Sequence, residues 1–209
     1  MNETLKRIGE LKIVPIMTLD KATDAGPLAD ALVAGGLPIA EVTFRTDAAE
    51  EAVRRMAARG DLLVGAGTIL TTEQADRAID AGASFLLAPG TNPRVVEHCL
   101  KRDVPITPGV ATPTDIELAM SLGLRVLKFF PVENLGGIKM LKAVSAPYAQ
   151  VQFLPTGGIS RDKLLDYLRL PSVDACGGSW LTPRALLADG QFDAIQQEVA
   201  ETVAMVATL

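Results

Sequence analysis

Short apolar runs and amphipathic stretches alternate along the whole chain. The runs end at Gly, Pro or Thr and read IVPIMT (13–18), IAEVTF (39–44), LLVGAG (62–67), FLLAPG (85–90), PITPGV (105–110), RVLKFFP (125–131), QVQFLPTGG (150–158) and VDACGGSW (173–180). Near-continuous apolar runs of about six residues predict strands buried on both faces. The stretches between them, roughly ten residues each, carry the 3.6-residue spacing of helices.

The punctuation agrees with this division. Thr71 with Gln74 predicts a capping box, and Asn92-Pro93 and Thr112-Pro113 each place a capping side chain before a proline at the first helical position. Gly35-Gly36, Gly82 and Gly123 follow predicted helices, where a left-handed residue is favoured, and Ser160 is placed to cap the helix after the seventh run. The segment FDAIQQEVAETVAMVATL (192–209) predicts an amphipathic helix whose apolar face suits the barrel wall or a subunit interface. The opening MNETLKRIGELK reads as a polar helix without the apolar centre of a secretion signal.

Eight strand–helix units suit a (β/α)8 barrel with an extra N-terminal helix, one domain over residues 1–209. An open doubly wound sheet would carry a glycine-rich nucleotide turn after its first strand, whereas this chain continues MTLDKATD.

Composition narrows the class of function. The chain is 48% hydrophobic with a net charge of −5, and it has no basic stripe interleaved with aromatics, so neither nucleic acid nor a membrane surface is expected as a partner. No apolar run approaches the roughly 18 residues of a membrane span, and a cytoplasmic protein is expected. Cys99 and Cys176 stand far apart and read as reduced, structural thiols, and the lone histidine, His98, reads as a surface residue. One histidine builds no His-based metal site, so any chemistry is expected to proceed without a metal or other cofactor.

In a barrel the active site lies at the carboxyl ends of the strands. Alternation in EVTFRT turns Glu41, Thr43 and Arg45 to one face, and charges inside a strand are either paired or functional. Glu41 and Arg45 could form a structural ion pair with each other. Lys128, in RVLKFFP, shares a face with Val126 and Phe130. It reads either as a tether that neutralises Glu41 or as an amine that burial keeps nucleophilic. The seventh and eighth runs end in PTGGIS and CGGSW, whose glycine pairs offer backbone N–H groups to a phosphate. GAGT ends the third run with small residues that leave room at the barrel mouth, where Thr68 offers a hydroxyl to a carboxylate, and APGT and TPGV end the fourth and fifth with Pro-Gly turns that bring backbone close to a ligand. Trp180 reads as core or rim packing.

Taken in order, ALVAGGLPIAEVTFRT, VGAGTIL, APGTNP, TPGVATPTD, LKFFPVENLGGIKMLKA, FLPTGGIS and GGSWL resemble the 2-keto-3-deoxy-6-phosphogluconate (KDPG) aldolases, many of which also act on 4-hydroxy-2-oxoglutarate. The resemblance implies a metal-independent class I aldolase, a homotrimer of barrels that cleaves KDPG to pyruvate and D-glyceraldehyde 3-phosphate. It implies Lys128 as the Schiff-base lysine and Glu41 as the acid/base carboxylate. Arg45 and Thr68 would hold the pyruvate carboxylate, Phe130 would pack near the pyruvyl group, and Thr156 would meet a substrate hydroxyl. Gly157, Gly158 and Ser179 would form the phosphate end. Two positions depart from the pattern: Ala88 stands where relatives often have Ser, and no basic residue follows IVPIMT. They bear on substrate preference. Two other readings stay open. One is the related aldolase for the galactonate epimer, which differs at C4 and typically lacks the Arg found here at position 45. The other is a sugar-phosphate-binding barrel in which Lys128 only neutralises Glu41.

Overall fold

The structure, a computed structural model, describes residues 2–209. It opens with helix α1 (Glu3–Leu11), capped by the Asn2 side chain, which accepts from the Thr4 N–H. The strands follow as β1 (Ile13–Met17), β2 (Ile39–Thr43), β3 (Leu63–Gly67), β4 (Phe85–Leu87), β5 (Ile106–Thr107), β6 (Gly109–Val110), β7 (Val126–Phe129), β8 (Gln152–Pro155) and β9 (Cys176–Gly178). Between and after them run α2 (Ala25–Ala34), α3 (Ala49–Ala57), α4 (Thr72–Asp80), α5 (Pro93–Lys101), α6 (Pro113–Ser121), α7 (Gly137–Ser145), α8 (Leu164–Leu168), α9 (Arg184–Ala188) and α10 (Phe192–Val206).

The fifth predicted strand is divided. Pro108 has no N–H to give to a ladder, so the stave is interrupted there, with β5 pairing to β4 and β6 pairing to β7. The proline still accepts, since the Lys128 N–H donates to its carbonyl at 2.9 Å. One parallel sheet runs β5-β4-β3-β2-β1-β9 and the other runs β6-β7-β8. Chain continuity through Pro108 joins them on one side. Parallel bridges Phe153↔Val173 and Thr156↔Gly177 join them on the other, so eight staves close into a (β/α)8 barrel with α1 preceding β1.

Closure depends on matching large and small residues. A Cβ on Gly65 would stand 2.3 Å from the Phe85 ring, so that glycine gives the ring its place in the core. Phe129 and Phe153, fully buried on adjacent strands, meet edge to face with centroids 6.2 Å apart. Outside the staves, Gly35 lets α10 approach α2, because a Cβ there would lie 2.6 Å from Val199.

Most predicted caps are present, with two differences. Thr112 and Asp115 form a reciprocal capping box, and Asn92 accepts from the Arg94 N–H ahead of Pro93. Thr71 accepts from the Gln74 N–H, but Gln74 Oε1 reaches one residue further back, to the Leu70 N–H, so that box is only half made. Ser160 makes no side-chain cap bond; the chain enters α8 through a tight turn at Arg161–Lys163. Gly36, Gly82 and Gly123 take positive φ as expected, while Gly35 remains right-handed.

His98 lies on the surface of α5 with Nε2 2.8 Å from Asp76. Trp180 is partly buried, its ring lying against Gly178. Both cysteines are buried and unpaired. Burial pushes the Cys99 thiol up to about 11 and Cys176 higher still, and thiolates are the reactive species. The folded protein should therefore show no thiol alkylation by iodoacetamide at pH 7.5 over an hour, and two alkylated thiols in denaturant, as read by intact mass.

Candidate active site

A cavity of about 210 Å³ opens at the carboxyl ends of the strands. Its wall includes all nine residues singled out from the sequence: Glu41, Arg45, Thr68, Lys128, Phe130, Thr156, Gly157, Gly158 and Ser179. It also includes Ile16, Thr43, Ile159 and Gly177.

Glu41 on β2 and Lys128 on β7 point into the barrel from opposite parts of the ring. Lys128 Nζ donates to Glu41 Oε1 at 3.3 Å, with the two side chains only 7% and 1% exposed. The expected alternative pairing, Glu41 with Arg45, is not made. Arg45 sits at the mouth, where its Nε donates to Thr68 Oγ1 at 3.1 Å, leaving the forked terminal nitrogens for another acceptor. The second carboxylate oxygen of Glu41, Oε2, is buried without a hydrogen-bond partner.

Glycines create the space these side chains occupy. A Cβ at Gly67 would lie 2.0 Å from Glu41 Oε1, and one at Gly177 2.4 Å from Thr156 Oγ1. Parallel register puts Gly65 beside Glu41 and Gly67 beside Thr43, so the carboxylate leans one pleat up the barrel over Gly67. The room that the small residues of GAGT leave is thus taken up by a neighbouring strand's side chain.

Thr68 follows directly, with φ 60. A β-branched residue in the left-handed region costs on the order of 1 kcal/mol, and such cost concentrates at working sites. Here it accompanies the hydroxyl's bond to Arg45. Opposite, Gly157 and Gly158 take φ 101 and 83, a backbone path closed to other residues without strain, and Ser179 completes that end. Phe130 walls the amine, its ring centroid 5.5 Å from Lys128 Nζ.

Thr43 faces the cavity as alternation required, yet its partner could not be read from the sequence. Its hydroxyl lies 2.8 Å from that of Thr18, just past β1. The next residues of that loop carry Asp20, which holds Arg184 in a two-pronged pair at 2.8 Å. A cation is thus tied to the rim of β1, where the sequence itself supplies none directly after the strand. Among the described residues no group of three or more His, Cys, Asp or Glu side chains gathers to hold a metal, and no helix is long and apolar enough to cross a membrane.

A lysine and a carboxylate buried together, with a free cation at one end and a glycine turn at the other, match one protein family over nearly the full chain. The family model described as KDPG and KHG aldolase matches residues 4–198. The chain belongs to the KDPG and KHG aldolase family. A 2-dehydro-3-deoxy-phosphogluconate aldolase of Haemophilus influenzae is 46% identical, over 96% of this chain and 95% of the relative. A KHG/KDPG aldolase of Escherichia coli is 42% identical over 91% and 90%. The KDPG aldolase of Legionella pneumophila, solved with pyruvate captured at low pH as a covalent carbinolamine intermediate, superposes with a TM-score of 0.92 at 35% identity, covering 96% and 98% of the two chains.

The cavity is built around a buried ion pair, and such pairs are costly to break and cheap to replace. Lys128→Met should lower stability by about 3 kcal/mol, the low end for a broken buried pair because the cavity keeps the orphaned carboxylate within reach of water. Lys128→Met combined with Glu41→Leu should recover most of that loss, measured as urea midpoints in a double-mutant cycle.

Proposed function

We propose that the chain is a class I aldolase that cleaves KDPG to pyruvate and D-glyceraldehyde 3-phosphate through a Schiff base on Lys128, and that it also cleaves 4-hydroxy-2-oxoglutarate to pyruvate and glyoxylate. The observation that carries this reading is the Lys128–Glu41 pair, buried and facing a cavity with opposite polar ends.

Each step uses a group on that wall. Lys128 passes a proton to Glu41 and attacks the C2 ketone, and Glu41 gives that proton to the departing hydroxyl, so that loss of water leaves a protonated imine conjugated to the C3–C4 bond. Glu41, directly or through one water, takes the proton of the C4 hydroxyl. The C3–C4 electrons move into the imine, the aldehyde departs and an enamine remains on Lys128. Glu41 returns the proton to C3, and hydrolysis frees pyruvate and the amine. The imine is the electron sink, so the reaction calls on no metal.

The single 3.3 Å contact suits this sequence of events. Glu41 faces the amine in the resting barrel and faces the positive imine once it forms. Arg45, permanently charged and forked, captures the C1 carboxylate together with Thr68. Thr156 meets a substrate hydroxyl. The Gly157-Gly158 turn and Ser179 bind the phosphate and so fix C4 against Glu41. Phe130 packs on the pyruvyl group.

Borohydride added with pyruvate should leave one reduced pyruvyl unit on Lys128 by intact-mass and peptide mapping. Absence of the adduct would overturn the Schiff-base reading in favour of a barrel that only binds sugar phosphates. Glu41→Gln should lower kcat by about a hundredfold or more, as general acid–base residues do, in an assay that couples pyruvate release to lactate dehydrogenase. Activity on KDPG should survive EDTA and exceed that on the galactonate epimer.

The assembly we propose is a cytoplasmic homotrimer, on the strength of the family likeness. Leu70, Leu100 and Leu118 add large apolar side chains, each more than a third exposed in the isolated chain. Light scattering after gel filtration should give a mass near three times 22.1 kDa.

A further inference from the structure

The mechanism leaves Glu133 without a role, yet its carboxylate carries bonds from both Lys163 and Tyr167. It lies in the segment between β7 and α7, immediately behind the Gly157-Gly158 turn. The Val132 N–H donates to the Thr156 carbonyl at 2.8 Å and the Glu133 N–H to the Gly157 carbonyl at 3.1 Å. The strand that carries Lys128 therefore goes on pairing with its neighbour past the formal ends of both. A Cβ on Gly158 would stand 2.8 Å from the Cβ of Glu133, and one on Gly157 3.0 Å from the Cα of Pro131. The turn is moulded on this segment.

The Glu133 side chain then reaches to the far side of the same turn. Tyr167 Oη donates to Oε1 and Lys163 Nζ to Oε2, each at 2.5 Å. Lys163 and Tyr167 belong to the chain that leaves the turn and enters α8. One residue thus holds the turn from its upstream side by backbone and from its downstream side by a charged pair and a buried hydroxyl. The bonds from Lys163 and Tyr167 keep the Glu133 carboxyl below the usual carboxylate range. Burial, and then the bond to Glu133, push the Tyr167 phenol up, so it stays a donor.

We propose that Glu133 is a positioning residue that sets the Gly157-Gly158 turn at the distance from Lys128 that a phosphate-bearing substrate requires, and that it governs the enzyme's preference for phosphorylated substrates. This rests on reading that turn as the phosphate end of the site. Backbone N–H groups bind an anion well only when they are held convergent before it arrives, because otherwise binding must supply the ordering. Loosening the turn weakens phosphate capture. It leaves Lys128, Glu41 and Arg45 in place, since these reside on β7, on β2 and just past β2, and the Glu133 carboxylate bonds to Lys163 and Tyr167 instead.

Two rates measured on one preparation separate the roles. The exchange of pyruvate methyl hydrogens in deuterium oxide, followed by NMR, needs imine and enamine formation at Lys128 and no phosphate. Steady-state cleavage of KDPG needs both. Glu133→Ala should raise KM for KDPG about tenfold, the equivalent of about one charge-assisted hydrogen bond, with the exchange rate changed less than about twofold. Tyr167→Phe keeps the ring and removes the donor, and should shift KM in the same direction by a smaller factor. Glu133→Gln keeps an acceptor for Tyr167 and should recover part of the loss. Equal losses of exchange and cleavage would overturn the proposal, as would an unchanged KM in both Glu133→Ala and Tyr167→Phe. Should Glu133→Ala not fold, Tyr167→Phe decides alone. Parent protein that neither exchanges pyruvate nor cleaves KDPG would instead refute the aldolase reading, a different result from either.

Discussion

The contact between Lys128 Nζ and Glu41 Oε1 sets the terms for everything around it. Two opposite charges taken from water into a barrel interior gain little net stability, because desolvation offsets most of their attraction. Such a pair persists when the surrounding structure leaves neither group an alternative. Glu41 is seated in the space that Gly67 on the next strand leaves for its carboxylate. Lys128 is walled by Phe130 and anchored by its own backbone bond to Pro108. The pair is also incomplete: one oxygen of the carboxylate has no partner, and the contact is single and long for a charge-assisted bond. A single long contact can open and leave the amine free without dismantling the fold.

Around that centre the molecule places unlike chemistry at opposite ends of one cavity. Arg45 and Thr68 lie past β2 and β3, and the glycine turn with Ser179 lies past β8 and β9. The separation follows from barrel closure, because strands distant in the ring present their ends to a common mouth. Backbone with positive φ appears at both ends, in Thr68 and in Gly157-Gly158. At one end a threonine bears the strain together with a hydroxyl bond to the arginine. At the other, glycines avoid strain so that amides can approach a ligand. The brace at Glu133 belongs to the same design, since a turn made of flexible residues needs stiffness from its neighbours.

Much of this was legible in the chain. Apolar runs with Gly, Pro and Thr boundaries report strands because a doubly buried strand has no polar face to show, and the alternation of EVTFRT is enough to put Glu41, Thr43 and Arg45 on one face. Caps at Asn92 and Thr112 were legible because they act within three residues. The interruption at Pro108 was less so: a proline in an apolar run signals a lost donor, but only the pairing of β5 and β6 to different neighbours shows that the ring divides there. Gln74 reaching Leu70 instead of Thr71 turns on a one-residue difference in side-chain reach that spacing does not specify.

By itself the sequence determined which polar residues line the cavity, the order of strands and helices, and the barrel that family likeness and periodicity both imply. Tertiary structure decided which charge pairs with which. Glu41 could have met Arg45, four residues away on its own strand, or Lys128, 87 residues away, and local periodicity weighs only the first. It likewise decided that Gly67 clears space for a carboxylate, that Thr43 meets Thr18, and that Glu133 stands behind the glycine turn. Local signals arise from a few dihedral angles and their capping bonds. Pairings across a closed ring depend on register, curvature and the volume of every side chain between, and these exist only once the chain has folded.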